Sequence, residues 1–250
     1  MGTSSIHSGP GGKNKLLPDW IDQSNLTDEQ KKKLAQEWSA AKKTLTGLIN
    51  KKGKHSPAPL FPHYVKAYGG SNNFVNSSPG FIYGFDRVHS FLHDIGTIGK
   101  NETINRLGDE FKGKNFQEIL VVFSNLYFPA GNDKEASAAR SAMSVTFELI
   151  LNEITIHPDL DILDNTILNI ILKNFVVEYI LIRILTDIGS SYEKSSAPPE
   201  EINLIEEQIR EHIRDCISDQ LKDTDFIHED VNNIKIDEIL LACMKKLGDE

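Results

Sequence analysis

The chain holds two cysteines in 250 residues, Cys216 and Cys243, and neither belongs to a paired-cysteine metal spacing. A disulfide framework is excluded by that count, and both thiols are expected to be reduced. No Gly-x-Ser-x-Gly elbow occurs, and Gly11-Gly12-Lys13-Asn14 lacks both the Gly-Lys-Ser/Thr ending and the preceding strand of a phosphate loop. The basic n-region and apolar stretch of a signal peptide are missing as well, which reads as cytoplasmic. The most apolar window, Thr166 to Thr186, is interrupted by Lys173, Glu178 and Arg183. Three charges at that depth in a membrane are costly, so a buried core helix is expected there. No segment alternates as a strand, and no internal repeat is found.

Charge of one sign is also scarce where a nucleic-acid binder needs it. The formal net charge is −9. Residues 1–75 carry eleven Lys against five Asp/Glu (+6), leaving −15 for the remainder. An acidic body argues against a general nucleic-acid binder, so any such role has to sit in the first third.

What is present is helical periodicity. Thr27-Asp-Glu-Gln30 is a capping box, followed by Leu34, Trp38, Ala41, Leu45 and Leu48 at alternating spacings of four and three. This predicts an amphipathic helix of about six turns. Its polar face carries Lys31, Lys32, Lys33, Lys42 and Lys43, and the run continues to Lys51, Lys52 and Lys54. Such a run is either a solvated face or a patch for nucleic acid or an acidic partner.

Three prolines between His55 and Pro62 predict a linker or sharp bend, and Gly69–Asn73 and Ser77–Gly80 bracket a second irregular stretch. Helical patterns resume over Phe85–Ile95, Glu102–Phe111, Phe116–Phe128, Asp133–Ile154 and Leu163–Ile188. After the polar linker Ser190–Pro199 they continue from Ile202 to Ile217 under an acidic face. A last helix is expected from Asp237 to Leu247, with Gly248 placed to end it. The reading is all-α: a multi-helix globular body with a flexible Gly/Ser-rich N-terminal tail. Three regions are expected: an extended tail over 1–22, a main helical domain over 25–192, and an acidic helical segment over 199–250 packed on it.

The tail itself is unusual. Residues 1–12 hold four glycines, a proline and four Ser/Thr, with Lys13 the first charge. Such a segment buries too little apolar surface to offset its ordering entropy. Glycine after Met1 permits Met removal, leaving the α-amine of Gly2, whose pKa of about 7.7–8 keeps part of it neutral and nucleophilic. Two readings stand: a terminus of no consequence, or a thread offered to a partner's active site. Leu16-Leu17-Pro18-Asp19-Trp20-Ile21 is an apolar plug, with Trp20 as anchor, that would fix where the thread emerges.

His89 and His93 stand at i and i+4 in Asp86-Arg-Val-His-Ser-Phe-Leu-His-Asp94, so both rings share a helix face. With Asp86 or Asp94 they can hold a metal, or they are ordinary surface or capping histidines. The glutamate of a zincin motif is absent, Ser90 standing in its place. Cys216 and Cys243 fall on apolar helix faces, where a small hydrophobe suffices. The residues specify no active site.

Gly2-Thr3-Ser4-Ser5, then Ser8-Gly9-Pro10-Gly11-Gly12, then Leu16-Leu17-Pro18-Asp19-Trp20 resemble the opening of the QatB family. Weaker echoes are Tyr64-Val-Lys-Ala-Tyr-Gly-Gly70 and Ala139-Arg140-Ser-Ala142. The resemblance implies a non-enzymatic, cofactor-free member of a bacterial antiphage defence system. It implies as partners a QatA-like ATPase, a QatC-like queuosine-synthesis-type enzyme and a QatD-like TatD nuclease. Joined to the chemistry of the tail, that context gives the expectation that Gly2, with Thr3, Ser4 and Ser5 behind it and Leu17 and Trp20 setting the reach, is acylated by the QatC-like partner with a 7-deazaguanine group. The alternatives are a helical nucleic-acid-binding subunit using Lys31–Lys54 and a metal-dependent enzyme at His89 and His93.

Overall fold

The computed structural model describes residues 26–128, 134–156, 162–189, 197–222, 224–227 and 235–249. Among them are ten α-helices and one 3-10 turn, and no strand. The fold is all-α. Two compact units interleave along the sequence. The first is Met1–Ser77, Ile184–Ile217 and Leu241–Glu250, and the second is Ser78–Arg183 and Ser218–Leu240.

In the first unit, α1 (Asp28–Asn50) opens with the expected capping box: Thr27 Oγ1 accepts from the Gln30 amide, and Gln30 Oε1 accepts from the Thr27 amide. Trp38, Ala41, Leu45 and Leu48 form its buried stripe, which packs against α2 (Leu60–Ala67). α2 begins inside the stretch expected to be a linker. Pro59 is its N-cap and Pro62 lies in its first turn, where a missing N–H breaks no helical hydrogen bond. Gly70, at φ 105°, then turns the chain into α3 (Ser71–Asn76), a short helix within the stretch expected to be irregular. The rest of this unit's core comes from the last turn of α8 (Asn165–Ile188), most of α9 (Pro199–Leu221) and the end of α10 (Ile236–Gly248). Ile205, Ile209, Ile213 and Ile217 bury one face of α9. α10 includes Gly248 instead of stopping before it. Asp249 takes the left-handed turn at φ 57°, while a Cβ on Gly248 would stand 3.0 Å from Val65 Cγ1. Close packing, not chain reversal, explains that glycine.

The second unit starts with α4 (Pro79–Thr97), which begins at Pro79 and not near Phe85, because proline at the first helical position is already set for the helix. The pattern expected as one helix over Glu102–Phe111 is split at Gly108 (φ 124°) into α5 (Lys100–Leu107) and the 3-10 turn Asp109–Phe111. α6 (Phe116–Tyr127) carries its own capping box, Asn115 with Glu118. α7 (Lys134–Ile156) packs on α4 and α6. The core is aromatic: Phe81 stacks on Tyr179 with centroids 4.0 Å apart, and Phe85 lies parallel to Phe175 at 5.8 Å. Gly84 lets Phe128 lie against α4, since a Cβ there would meet its ring at 2.1 Å.

Candidate functional surface

The residues expected to form the modified thread and its plug, Gly2, Thr3, Ser4, Ser5, Leu17 and Trp20, lie outside the described residues. The basic run does not. Lys32, Lys33, Lys43, Lys51, Lys52 and Lys54 are exposed, whereas Lys31 and Lys42 are half-buried. Lys32 and Lys43 are three turns apart on α1, roughly 16 Å along its axis, so they share one exposed edge. Lys31 and Lys42 repeat that spacing along the flank beside the core, where the Lys42 ammonium sits 5.1 Å from the Trp38 ring centroid. The positive charge is thus distributed around α1 and on past its C-terminus. There, Gly53 N–H bonds the Leu48 carbonyl and Lys52 N–H bonds the Ile49 carbonyl, a Schellman pattern that puts Lys52 at φ 54°. Lys52 Nζ then reaches Glu201 Oε1 at 2.8 Å. Beside this run, Glu37 is engaged by His63 Nδ1 at 2.6 Å.

The two histidines on α4 have different surroundings. His89 is 1% exposed, and its Nε2 is hydrogen-bonded to the Phe226 carbonyl oxygen. His93 is half-buried, with Nδ1 3.7 Å from Asp94 Oδ1. Their centroids are 6.2 Å apart, but the His89 nitrogen is already committed to backbone. Among the described residues no three His, Cys, Asp or Glu side chains gather as a metal cluster. Neighbouring Asp86 is pushed above the ordinary carboxylate range by desolvation, which Arg87 partly offsets.

Three polar groupings went unseen in the sequence. Asp187, 4% exposed, accepts from Tyr64 Oη at 2.7 Å and also from Tyr68 Oη. Glu135 accepts from the amides of Gly80 and Phe81 at 3.2 and 3.0 Å and from Tyr179 Oη at 3.2 Å. It therefore caps α4 from α7. Burial drives the Tyr179 hydroxyl well above its ordinary range, keeping it a protonated donor. Third, Cys216 Sγ lies 3.3 Å from His212 Nε2, a pairing that the i, i+4 spacing signals. Burial raises that thiol and lowers that imidazole, so both are biased to neutral. None of the described helices is long and apolar enough to cross a membrane.

A family model described as Qat anti-phage system associated protein QatB matches residues 69–246, from Gly69 just after α2 to the last turns of α10. The match leaves α1, α2 and everything before them outside. No curated protein and no solved structure matches the chain. With more than half of its length matched, and with an all-α body carrying that match, the chain belongs to the QatB family of Qat anti-phage system associated proteins.

Proposed function

We propose that this chain serves the Qat system as a non-enzymatic adaptor and modification substrate in the cytoplasm. The observation that carries the reading is the leader: twelve residues with no charge, led by Gly2, ahead of a plug at Leu17 and Trp20. Once Met1 is removed, the neutral fraction of the Gly2 α-amine is a nucleophile without a side chain to obstruct it. A QatC-like enzyme activates a 7-deazaguanine carboxylate with ATP, releasing pyrophosphate and leaving an acyl adenylate. The amine attacks the acyl carbon, AMP departs, the amine loses a proton, and an amide remains on Gly2. The fifteen residues from Gly2 to Leu16 span at most roughly 50 Å when extended, enough to thread a deep channel while the plug stays on the body. QatA-like and QatD-like components are the further partners in this reading.

The test is the mass of the intact protein and of its N-terminal peptide, purified with and without the other Qat components. A QatC-dependent mass increase on the Gly2–Lys13 peptide, lost in Gly2→Pro, is expected. An unmodified Gly2 terminus in both samples overturns the reading. The exposure of Lys32, Lys33, Lys43, Lys51 and Lys54 favours a second reading, a helical nucleic-acid-binding subunit. Salt-sensitive retention of DNA or RNA by the chain, weakened when these lysines are replaced, would support it.

A further inference from the structure

Between the end of α9 and the start of α10, residues 224–227 are neither helix nor strand, yet Phe226 and Ile227 are 0% and 1% exposed. Helices α4 and α8 of the same unit receive them. Asn169, on α8, engages the segment with both ends of its amide. Its Oδ1 accepts from the Phe226 N–H at 2.7 Å, and its Nδ2 donates to Asp225 Oδ1 at 2.8 Å. A further Nδ2 bond to the Asn165 carbonyl, one turn earlier at 3.1 Å, fixes that orientation. From α4, His89 meets the Phe226 carbonyl; a carbonyl only accepts, so Nε2 carries the proton and donates. Asp225 Oδ1 also accepts from the Ile227 N–H at 3.1 Å.

The side chains enter matching recesses. The Phe226 ring tilts against Phe85 at 5.4 Å and meets His89 edge-on at 6.4 Å between centroids. Ile227 lies beside Gly96, its Cγ2 3.4 Å from where a Cβ would stand. Polar side chains thus hold main-chain groups whatever the sequence, while pockets select the residues, which is the division of labour in peptide recognition. α4 and α8 close their own backbone hydrogen bonds as helices, so the groove exists without the segment. The segment has no such ladder: Phe226 N–H, Phe226 C=O and Ile227 N–H are all met by side chains. It is therefore the element expected to open first, with the helices left in place. Groove and segment both lie within residues 69–246, the part matched to a family of the Qat system, whose other proteins can supply a competing segment.

We propose that the α4–α8 groove is a peptide-binding site that Asp225-Phe226-Ile227 closes in cis as a strap. Its ligand is a segment of a partner protein with the same chemistry: a carboxylate residue, then a large aromatic, then a branched aliphatic. The inference does not depend on modification of Gly2.

The test is fluorescence anisotropy of a labelled synthetic peptide with the sequence of residues 222–230, titrated with the full chain. Phe226→Ala, whose own strap no longer fills the aromatic recess, is expected to bind it at least about tenfold more tightly than wild type, because an open state populated at a few per cent or less weakens apparent affinity by that fraction. Binding should be lost when Asn169→Ala is added, and when the peptide itself carries alanine for phenylalanine. No binding by Phe226→Ala overturns the proposal, as does equal binding by wild type or survival of binding with Asn169→Ala. Hydrogen exchange of the wild-type chain decides the question even if Phe226→Ala fails to fold. The Phe226 and Ile227 amides should exchange while those of α4 and α8 stay protected, and faster with excess peptide; exchange only together with α8 overturns the strap. A wild-type dimer that the free peptide dissociates would make a second copy the occupant and overturn the assignment to a partner.

Discussion

Asp187 in the first unit and Glu135 in the second are both carboxylates set among tyrosines, yet they are satisfied by different parts of the chain. Asp187 takes its hydrogen bonds from two phenols, Tyr64 and Tyr68, whose rings meet edge-on at 5.3 Å. Glu135 takes two of its three from backbone amides at the start of α4 and the third from Tyr179. The first arrangement is a side-chain network inside a packed core. The second uses the positive end of a helix dipole, for which a carboxylate is the natural complement. Removing Asp187 takes an acceptor from two buried hydroxyls, whereas removing Glu135 takes one from two amides at a helix terminus that water can approach and from Tyr179, whose hydroxyl also hydrogen-bonds Ser78.

That difference sets the largest expected effect. Asp187→Ala should destabilise by about 3 kcal/mol or more and Glu135→Ala by about 2 kcal/mol, read from urea unfolding midpoints. Equal losses would break the comparison. The capping boxes provide the next test, because each unit uses the same device, Thr27 with Gln30 in one and Asn115 with Glu118 in the other. Thr27→Ala and Asn115→Ala should each cost about 1 kcal/mol. A clearly larger loss for one would show that its helix anchors its unit more firmly. The smallest effect concerns left-handed positions. The second unit's positive-φ positions at 99, 108 and 113 are glycines, whereas the first places Lys52 at φ 54°. Lys52→Gly relieves that strain and gives up a mostly exposed ion pair to Glu201, so a net gain of about 0.5 kcal/mol is expected. A drop in melting temperature would mean that the ion pair outweighs the backbone term.

The helices were legible where periodicity and caps agreed. Thr27, Gln30 and the stripe from Trp38 to Leu48 located α1. Local punctuation was misleading where tertiary contacts supplied what the sequence lacked. The Ser78-Pro79-Gly80 stretch has the composition of a turn, yet Glu135, more than fifty residues later, caps the helix that starts there. The same distance in sequence hid the polar groupings: Tyr64 and Tyr68 are over a hundred residues from Asp187. The His212–Cys216 contact went unread although its i, i+4 spacing was there, because spacing alone does not say that an imidazole stacked on Phe61 meets the thiol.

The interleaving of the two units bears on how the chain is made. A ribosome delivers residues 1–77 first, but their packing partners at 184–217 follow only after most of the second unit, and Cys243, Met244 and Leu247 come later still. Vectorial synthesis therefore leaves the apolar stripe of α1 and the faces of Phe61, Tyr64 and Val65 waiting through well over a hundred codons. At about 5–20 residues per second, that is an exposure of several seconds or more. The first unit to emerge is the last to close.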